Sequence, residues 1–571
     1  MKNSLRFFLI AGLMLAGTLP QYAQDSGRDK GLQAITKEVI QGQLEFLASD
    51  WTDGREAGTK GEYIASDYIA SMFKLYGLLP GGDAEQQSFG RRGQRPTGGT
   101  PGQQPQRPEP KKTYFQNFNL VESSAGPVQE MSIITKSGST VRSVNFDYQT
   151  DFSVNPGQVG MEIEVPIVFI GYGLSDEKKG YDDFKGMDIK GKFLIKLSGF
   201  PGSKDPTSKT YEKFKPEVPA QQPNDMERMF ARMRQPGGMF SWAVERDAVG
   251  VIEYRPGTDP TSQWVANYPF RYNTTTYEGD VPQNRNRKSM SLMKDNMDAN
   301  LINLTITDRV LNEILNGSGV DIGALEKQIA ETGKPASREL TGKFIRVKTT
   351  VESRIVKVRN VIGVLEGKNT EEIIVIGGHY DHMGNQNGFI YNGADDNASG
   401  TVGVMTIAKA MVASGVKPEK TIVFAAWTAE EKGLIGSAYF VAHPYKGKVL
   451  CYLNYDMISR NSPGENEDKK ISVNYSTNFP KSKELVEKYN TEMSYGMEVS
   501  FRETEPGRRG GGSDHSPFNE KSIPFYYFMA GMPAEYHQFT DHVDLVNWDK
   551  MLKIIQLGYL SIYDLAQMPW N

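Results

Sequence analysis

Six histidines occur in the chain, all in roughly its last third, and five of them fall in three short clusters beside carboxylates. His379 and His382 sit in Gly-Gly-His-Tyr-Asp-His, His515 in Ser-Asp-His-Ser, and His537 and His542 in Tyr-His-Gln-Phe-Thr-Asp-His. Between the first two clusters come Asp395-Asp396-Asn397, the doublet Glu430-Glu431, and Asp456 in Asn-Tyr-Asp-Met. Imidazole and carboxylate oxygen are the ligands that zinc and its neighbours take when thiolates are scarce, so this pattern points to a metal site.

The elements that must position these residues follow from apolar periodicity. From Asn360 onward, strand-like runs at 361–365, 373–376, 421–426, 449–454, 470–474 and 523–528 alternate with helical patterns at 400–414, 436–443, 481–491 and 548–566. Near-continuous apolar strands alternating with helices predict an α/β fold with a mixed, mostly parallel sheet covered on both faces. His379, Glu430 and Glu431, Asp456 and His537 each follow the C-terminal end of a predicted strand. In open α/β sheets that edge is where ligands bind.

These motifs in this order resemble the M28 family of metallopeptidases, the two-zinc aminopeptidase group. The residues carrying the likeness are Gly378-His379-Tyr380-Asp381, Gly393-Ala394-Asp395-Asp396-Asn397-Ala398-Ser399-Gly400, Glu430-Glu431, Asn454-Tyr455-Asp456 and Tyr536-His537. The resemblance implies a zinc-dependent exopeptidase fold and two Zn2+ per chain, with Co2+ or Mn2+ able to use the same ligands. It assigns His379 and Asp456 to one metal and Glu431 and His537 to the other, with Asp396 bridging and a cis peptide after it. It makes Glu430 the general base and acid, and Tyr536 the donor to the tetrahedral oxyanion. Asp381 and Asp541 are expected to orient the ligands from behind. His382 is expected at the rim or behind the ligands, Asp514-His515 in the pocket wall or a mobile loop, and His542 outside the ligand set in favour of His537.

The rest of the chain bounds the reading. At 571 residues it exceeds one ordinary core. A net charge of −4 gives no support for nucleic-acid binding. Lys2 and Arg6 followed by the apolar run 7–19 and Ala23-Gln24 predict a signal peptide over 1–23, hence an exported protein, periplasmic or secreted. No later run approaches the roughly 20 apolar residues of a membrane span, so no stable membrane anchor is expected. The lone Cys451 lies in a strand-like run, which excludes an intramolecular disulfide and predicts simple burial.

The expected division after the signal is an N-terminal helical part of the peptidase over 24–127, a β-rich block over 128–345, and the catalytic part over 346–571. The helical part carries a disordered Gly/Pro/Gln/Arg loop at 86–112. The β-rich block resembles a protease-associated (PA) insert. Peptides are the expected substrates, attacked from a free N-terminus. Carboxypeptidase action is the alternative within the same family. A glutaminyl-cyclase-like enzyme or a binding protein without catalysis stands further off, because the full ligand set with Glu430 and Tyr536 is retained.

Overall fold

The computed structural model describes residues 26–85, 111–154, 160–215, 240–254, 288–293, 301–386, 388–464, 467–508 and 512–570. Residues 1–23, expected to be a signal peptide, and most of the expected 86–112 loop lie outside these residues. The chain begins with helices α1 (Ser26–Gln33), α2 (Lys37–Leu47) and α3 (Lys60–Tyr76). Their boundaries are chemical. Thr36 and Thr59 cap α2 and α3 by accepting from Val39 and Glu62 N–H groups, and Gly77 closes α3 in the left-handed conformation at φ 91°.

A β-rich block follows, built on β1 (Phe115–Ser137), β2 (Met161–Phe169), β3 (Phe193–Leu197), β4 (Gly250–Tyr254) and β5 (Ile302–Ile306). Helices α4 (Asp308–Leu315) and α5 (Ile322–Thr332) lead into β6 (Arg338–Leu365), a strand of 28 residues. Strands β2 to β5 pair in parallel in that order, while β6 pairs antiparallel with both β1 and β2. Phe169, Phe193, Ile195, Leu304, Ile314 and Ile345 belong to this block's own apolar core.

Strand β6 carries the sheet into the C-terminal region, because its last residues Val361–Leu365 pair with a second set of strands. These are β7 (Asn369–His379), β8 (Lys420–Trp427), β9 (Lys448–Tyr455), β10 (Lys470–Ser476), β11 (Glu498–Thr504) and β12 (Phe525–Met529). Their order is β11-β10-β12-β9-β7-β8-β6. The pairs β7–β8, β7–β9, β9–β12 and β10–β11 are parallel, and β6–β8 and β10–β12 are antiparallel. The mixed, mostly parallel sheet expected from the sequence is therefore present.

Alternation along each strand divides its side chains between two faces. Ile374, Ile376, Ile422, Phe424, Ala426 and Leu453 face a core shared with α2, α3, α6 (Gly400–Ala413) and later α10 (Trp548–Gln567). Ile373, Val375, Val423, Ala425 and Tyr452 face the opposite core, with Phe440 of α7 (Ile435–Ala442) and Phe518 of α9 (His515–Glu520). Helix α8 (Pro480–Glu492) packs Leu485 and Val486 into the first of these cores. Burial on both sides explains why β8 reads Lys-Thr-Ile-Val-Phe-Ala-Ala-Trp with every residue buried. Cys451 lies in β9, fully buried, and burial pushes its thiol above its ordinary range.

Candidate metal centre

The C-terminal ends of β7, β8, β9 and β12 lie side by side, so the loops beyond them converge. His379 is the last residue of β7. Its Nε2 stands 3.4 Å from Asp396 Oδ1, 3.4 Å from Asp456 Oδ1 and 3.9 Å from Glu430 Oε2. His537, in the loop after β12, presents Nε2 3.1 Å from Asp396 Oδ2 and 3.2 Å from Glu431 Oε2. Asp396 thus lies between the two imidazoles with one carboxylate oxygen toward each. All five residues that the resemblance names as ligands are gathered in one place, with Glu430 beside them.

The turn that carries Asp396 spans Ala394–Ser399, and the Asp396–Asn397 peptide is cis. Asp541 holds the front of this turn by accepting from the Asp395 N–H at 3.0 Å and the Asp396 N–H at 3.1 Å. Asp395 points away from the imidazoles and accepts from Ser459 N–H at 2.8 Å and Ser459 Oγ at 2.7 Å. Ser399 Oγ donates to the Asp395 carbonyl at 2.7 Å and accepts from the Ile458 N–H at 3.0 Å. The turn is therefore latched to the loop that bears Asp456.

Asp381 lies behind the ligands, but its carbonyl rather than its carboxylate is the group nearest His379. Its backbone carbonyl, at 3.2 Å, is the group that receives His379 Nδ1, while its carboxylate stands 3.8 Å from that nitrogen. The carboxylate instead accepts from the Glu430 N–H at 3.0 Å and the Glu431 N–H at 3.4 Å. It aims the glutamate doublet just after Ala429, whose φ is 54°.

His382 is not at the rim. It is fully buried, and its Nδ1 lies 2.7 Å from Glu431 Oε1, where it fixes that carboxylate. Asp514 is fully buried at the start of α9, two residues after the exposed Gly512. Ser513 accepts from Asn454 Nδ2 at 2.7 Å and hydrogen-bonds Asp456. Tyr536 stacks on the His537 ring with centroids 3.9 Å apart. His542 lies just before the short turn Val543–Leu545, among none of the site contacts. His443 bonds the Tyr439 carbonyl at the end of α7, well outside the cluster.

The electrostatics are those of a site short of positive charge. Burial pushes Asp381 and Asp395 up to about 7 and Asp541 up to about 8. Burial likewise raises Glu430 well above the carboxylate range. For His379 burial acts downward, but Glu430 and Asp456 outweigh it and hold the imidazole well above 6.5. His537 is raised in the same way by Glu431 and Asp396. Glu431 is driven down despite its burial, because His537 and His382 face it.

The donor set suits a pair of divalent cations. Ligand atoms of His379, Glu430 and Asp456 lie within 4.8 Å of one another, and so do those of His382, Asp396 and Glu431. Asp396 Oδ2 and Asp456 Oδ1 are buried and accept no hydrogen bond. Buried carboxylate oxygens in that state suit a cation, and nitrogen–oxygen sets without thiolate match zinc.

Residues 360–559 match the family model of Peptidase family M28. The glutamate carboxypeptidase 2 homolog of Caenorhabditis briggsae is 31% identical over 209 residues, which is 33% of this chain and 26% of that protein. Leucine aminopeptidase 2 of Arthroderma otae is 29% identical over 232 residues, 38% of this chain and 44% of that protein. The chain therefore spans less than half the length of these curated relatives. In fold, it resembles an aminopeptidase from Aneurinibacillus sp. strain AM-1, with a TM-score of 0.52 and 17% identity over 95% of this chain and 98% of that one. The gathered imidazoles and carboxylates thus lie within the region 360–559 that matches Peptidase family M28, and that part of the chain is similar in sequence to a leucine aminopeptidase and to a glutamate carboxypeptidase 2 homolog.

Proposed function

We propose that the protein is an exported zinc exopeptidase that removes residues from the free N-termini of peptides. The observation that supports this most is Asp396 standing between His379 and His537, each imidazole having its own carboxylate partner, Asp456 and Glu431. In this reading His379 and Asp456 would hold one Zn2+ and Glu431 and His537 the other, with Asp396 available to both. Once bound, the cations supply an acidified water and an electrophilic contact for the scissile carbonyl.

The chain's own groups do the remainder. Glu430 takes the proton of the attacking water and delivers it to the departing amine. Its buried site and raised basicity suit a group that must accept and then release a proton. Tyr536 donates its hydroxyl proton in a hydrogen bond to the developing oxyanion. Asp381 keeps Glu430 and Glu431 at their stations through their N–H groups. His382 holds Glu431 in place as a hydrogen-bonding neighbour.

Aminopeptidase and carboxypeptidase names both occur among the relatives, so substrate polarity needs a direct test. The zinc-loaded protein is incubated with a peptide mixture, each peptide supplied N-free and N-acetylated, and read by mass spectrometry. Stepwise loss of N-terminal residues from the free forms alone is the expected result. Shortening of acetylated peptides from the C-terminus would replace the proposal with carboxypeptidase action. Export and a PA-like role for the β-rich block belong to the same proposal. Such a block would limit access to short peptides, and its removal is expected to admit longer ones.

A further inference from the structure

The metal-binding loops all belong to residues 379–541, yet a fully buried guanidinium beneath them, Arg55, comes from the N-terminal segment. Arg55 is fully buried, and its hydrogen-bond partners are backbone carbonyls. It donates to Tyr380 O through Nε at 2.7 Å, to Leu47 O and Asn392 O through Nη1 at 2.5 and 2.6 Å, and to Gly393 O through Nη2 at 2.9 Å. Tyr380 separates His379 from Asp381, and Gly393 opens the turn that carries Asp396. The Arg55 carbonyl in turn accepts from the His382 N–H at 3.2 Å. One residue thus ties together three stretches that set the positions of His379, Asp396 and, through His382, Glu431.

The approach is built for close contact. Gly54, at φ 68°, leaves no room for a side chain, since a Cβ there would lie 2.5 Å from Gly384 O and 2.7 Å from Tyr391 O. Asn392 supports the same junction, donating to Ala48 O at 2.9 Å and Asp50 Oδ1 at 2.8 Å. Burial lowers the Arg55 guanidinium to about 10, which leaves it charged at neutral pH, and the acids it faces are Asp381, Asp541, Asp396 and Glu431.

We infer that Arg55 is a positioning residue of the metal centre. It locks the turns bearing His379 and Asp396 and gives the surrounding carboxylates a fixed positive neighbour. Through it the N-terminal segment, outside the family-matched region, sets the site's affinity for metal. A planar fork can reach four carbonyls at once, whereas an ammonium group on a shorter stem cannot. The inference rests on the two-metal reading above, and its test separates the two.

The experiment is zinc titration of the metal-free full chain against a competing chelator, for the wild type, Arg55→Lys, Arg55→Met and Asn392→Ala. Melting of each metal-free protein is followed in parallel. Arg55→Met is expected to weaken binding of at least one zinc ion by about 10- to 100-fold, as loss of groups behind the ligands does elsewhere. Arg55→Lys should recover only part of that loss, and Asn392→Ala should weaken binding by a few-fold with its fold intact. If Arg55→Met does not fold, Arg55→Lys and Asn392→Ala decide the matter. Wild-type zinc affinity in every folded variant would overturn the inference and leave the two-metal reading standing. A wild-type chain that takes up no zinc would overturn the reading beneath it.

Discussion

Two groups of buried acids in this molecule are solved in opposite ways. In the β-rich block Asp183 is buried and receives the Tyr172 N–H at 3.0 Å, the Leu174 N–H at 3.1 Å, the Tyr181 hydroxyl at 3.0 Å and the Ser337 hydroxyl at 3.4 Å. Every requirement of that carboxylate is met by donors of its own region. Near the ends of β7, β8 and β9 the acids meet imidazoles and one another, and oxygens of Asp396 and Asp456 accept no hydrogen bond. A carboxylate surrounded by donors finishes a fold, whereas carboxylates converging on shared space suit a cation. Burial by itself therefore says little about function. The kind of partner is what separates the two cases.

That contrast is broken most decisively at Glu430. Glu430→Gln keeps the shape of the site but removes the proton acceptor, and kcat should fall by about 10²- to 10⁴-fold with two zinc ions still bound, as turnover and metal analysis on one sample would reveal. Retention of near-normal turnover with full metal content would remove Glu430 from the chemistry.

Metal removal should act next most strongly, and only on one side of the comparison. At free zinc a thousandfold above its Kd, binding stabilises the folded form by about 4 kcal/mol. Chelation should lower the melting temperature and loosen hydrogen-exchange protection in β7, β8 and α6. Protection in β2, β3 and β4 should stay as it was. Equal loosening in both regions would mean that the β-rich block depends on the metal too.

Asp183 sharpens the comparison from the other side. Burial raises it to about 6 from an ordinary 3.8, a difference of about 3 kcal/mol between its protonation states. A carboxyl raised on folding contributes stability that is complete below its unfolded value near 3.8 and lost as pH rises through about 6. Asp183→Asn should flatten that part of the stability profile between pH 4 and pH 7 and leave zinc content untouched. Denaturant melts at several pH values would expose any other outcome. The smallest effect belongs to the pair of exposed Arg142 and half-buried Glu313, at 2.6 and 3.0 Å. Arg142→Ala should cost under about 1 kcal/mol in the same melts.

What could be read in advance, and what could not, follows from the range of the interactions involved. The C-terminal strands and helices announce themselves through local apolar periodicity, so 421–426 and 548–566 meet the observed Lys420–Trp427 and Trp548–Gln567 almost end to end. Strand β6 was visible only over its apolar tail at 361–365, because its earlier residues alternate exposed charges with buried side chains along a ribbon. Strand β11 carries no apolar run to mark it, because Glu-Val-Ser-Phe-Arg-Glu-Thr is an edge strand with little buried surface. Within the site, the ligand residues were marked by scarce histidines beside acids at strand ends. The division of labour at Asp381, the burial of His382 and the clasp of Arg55 had no local signal.

The sequence alone determined which residue types lie beyond which strand ends, because periodicity and strand-end position are properties of a few neighbouring residues. Only the tertiary structure decided which atoms meet. It turned the Asp381 carboxylate to the Glu430 and Glu431 amides, left its carbonyl to His379, and brought Arg55 more than 300 residues along the chain to Tyr380 and Gly393. Such contacts depend on how separate elements pack, where hydrogen-bond reach of about 3 Å sets every partner.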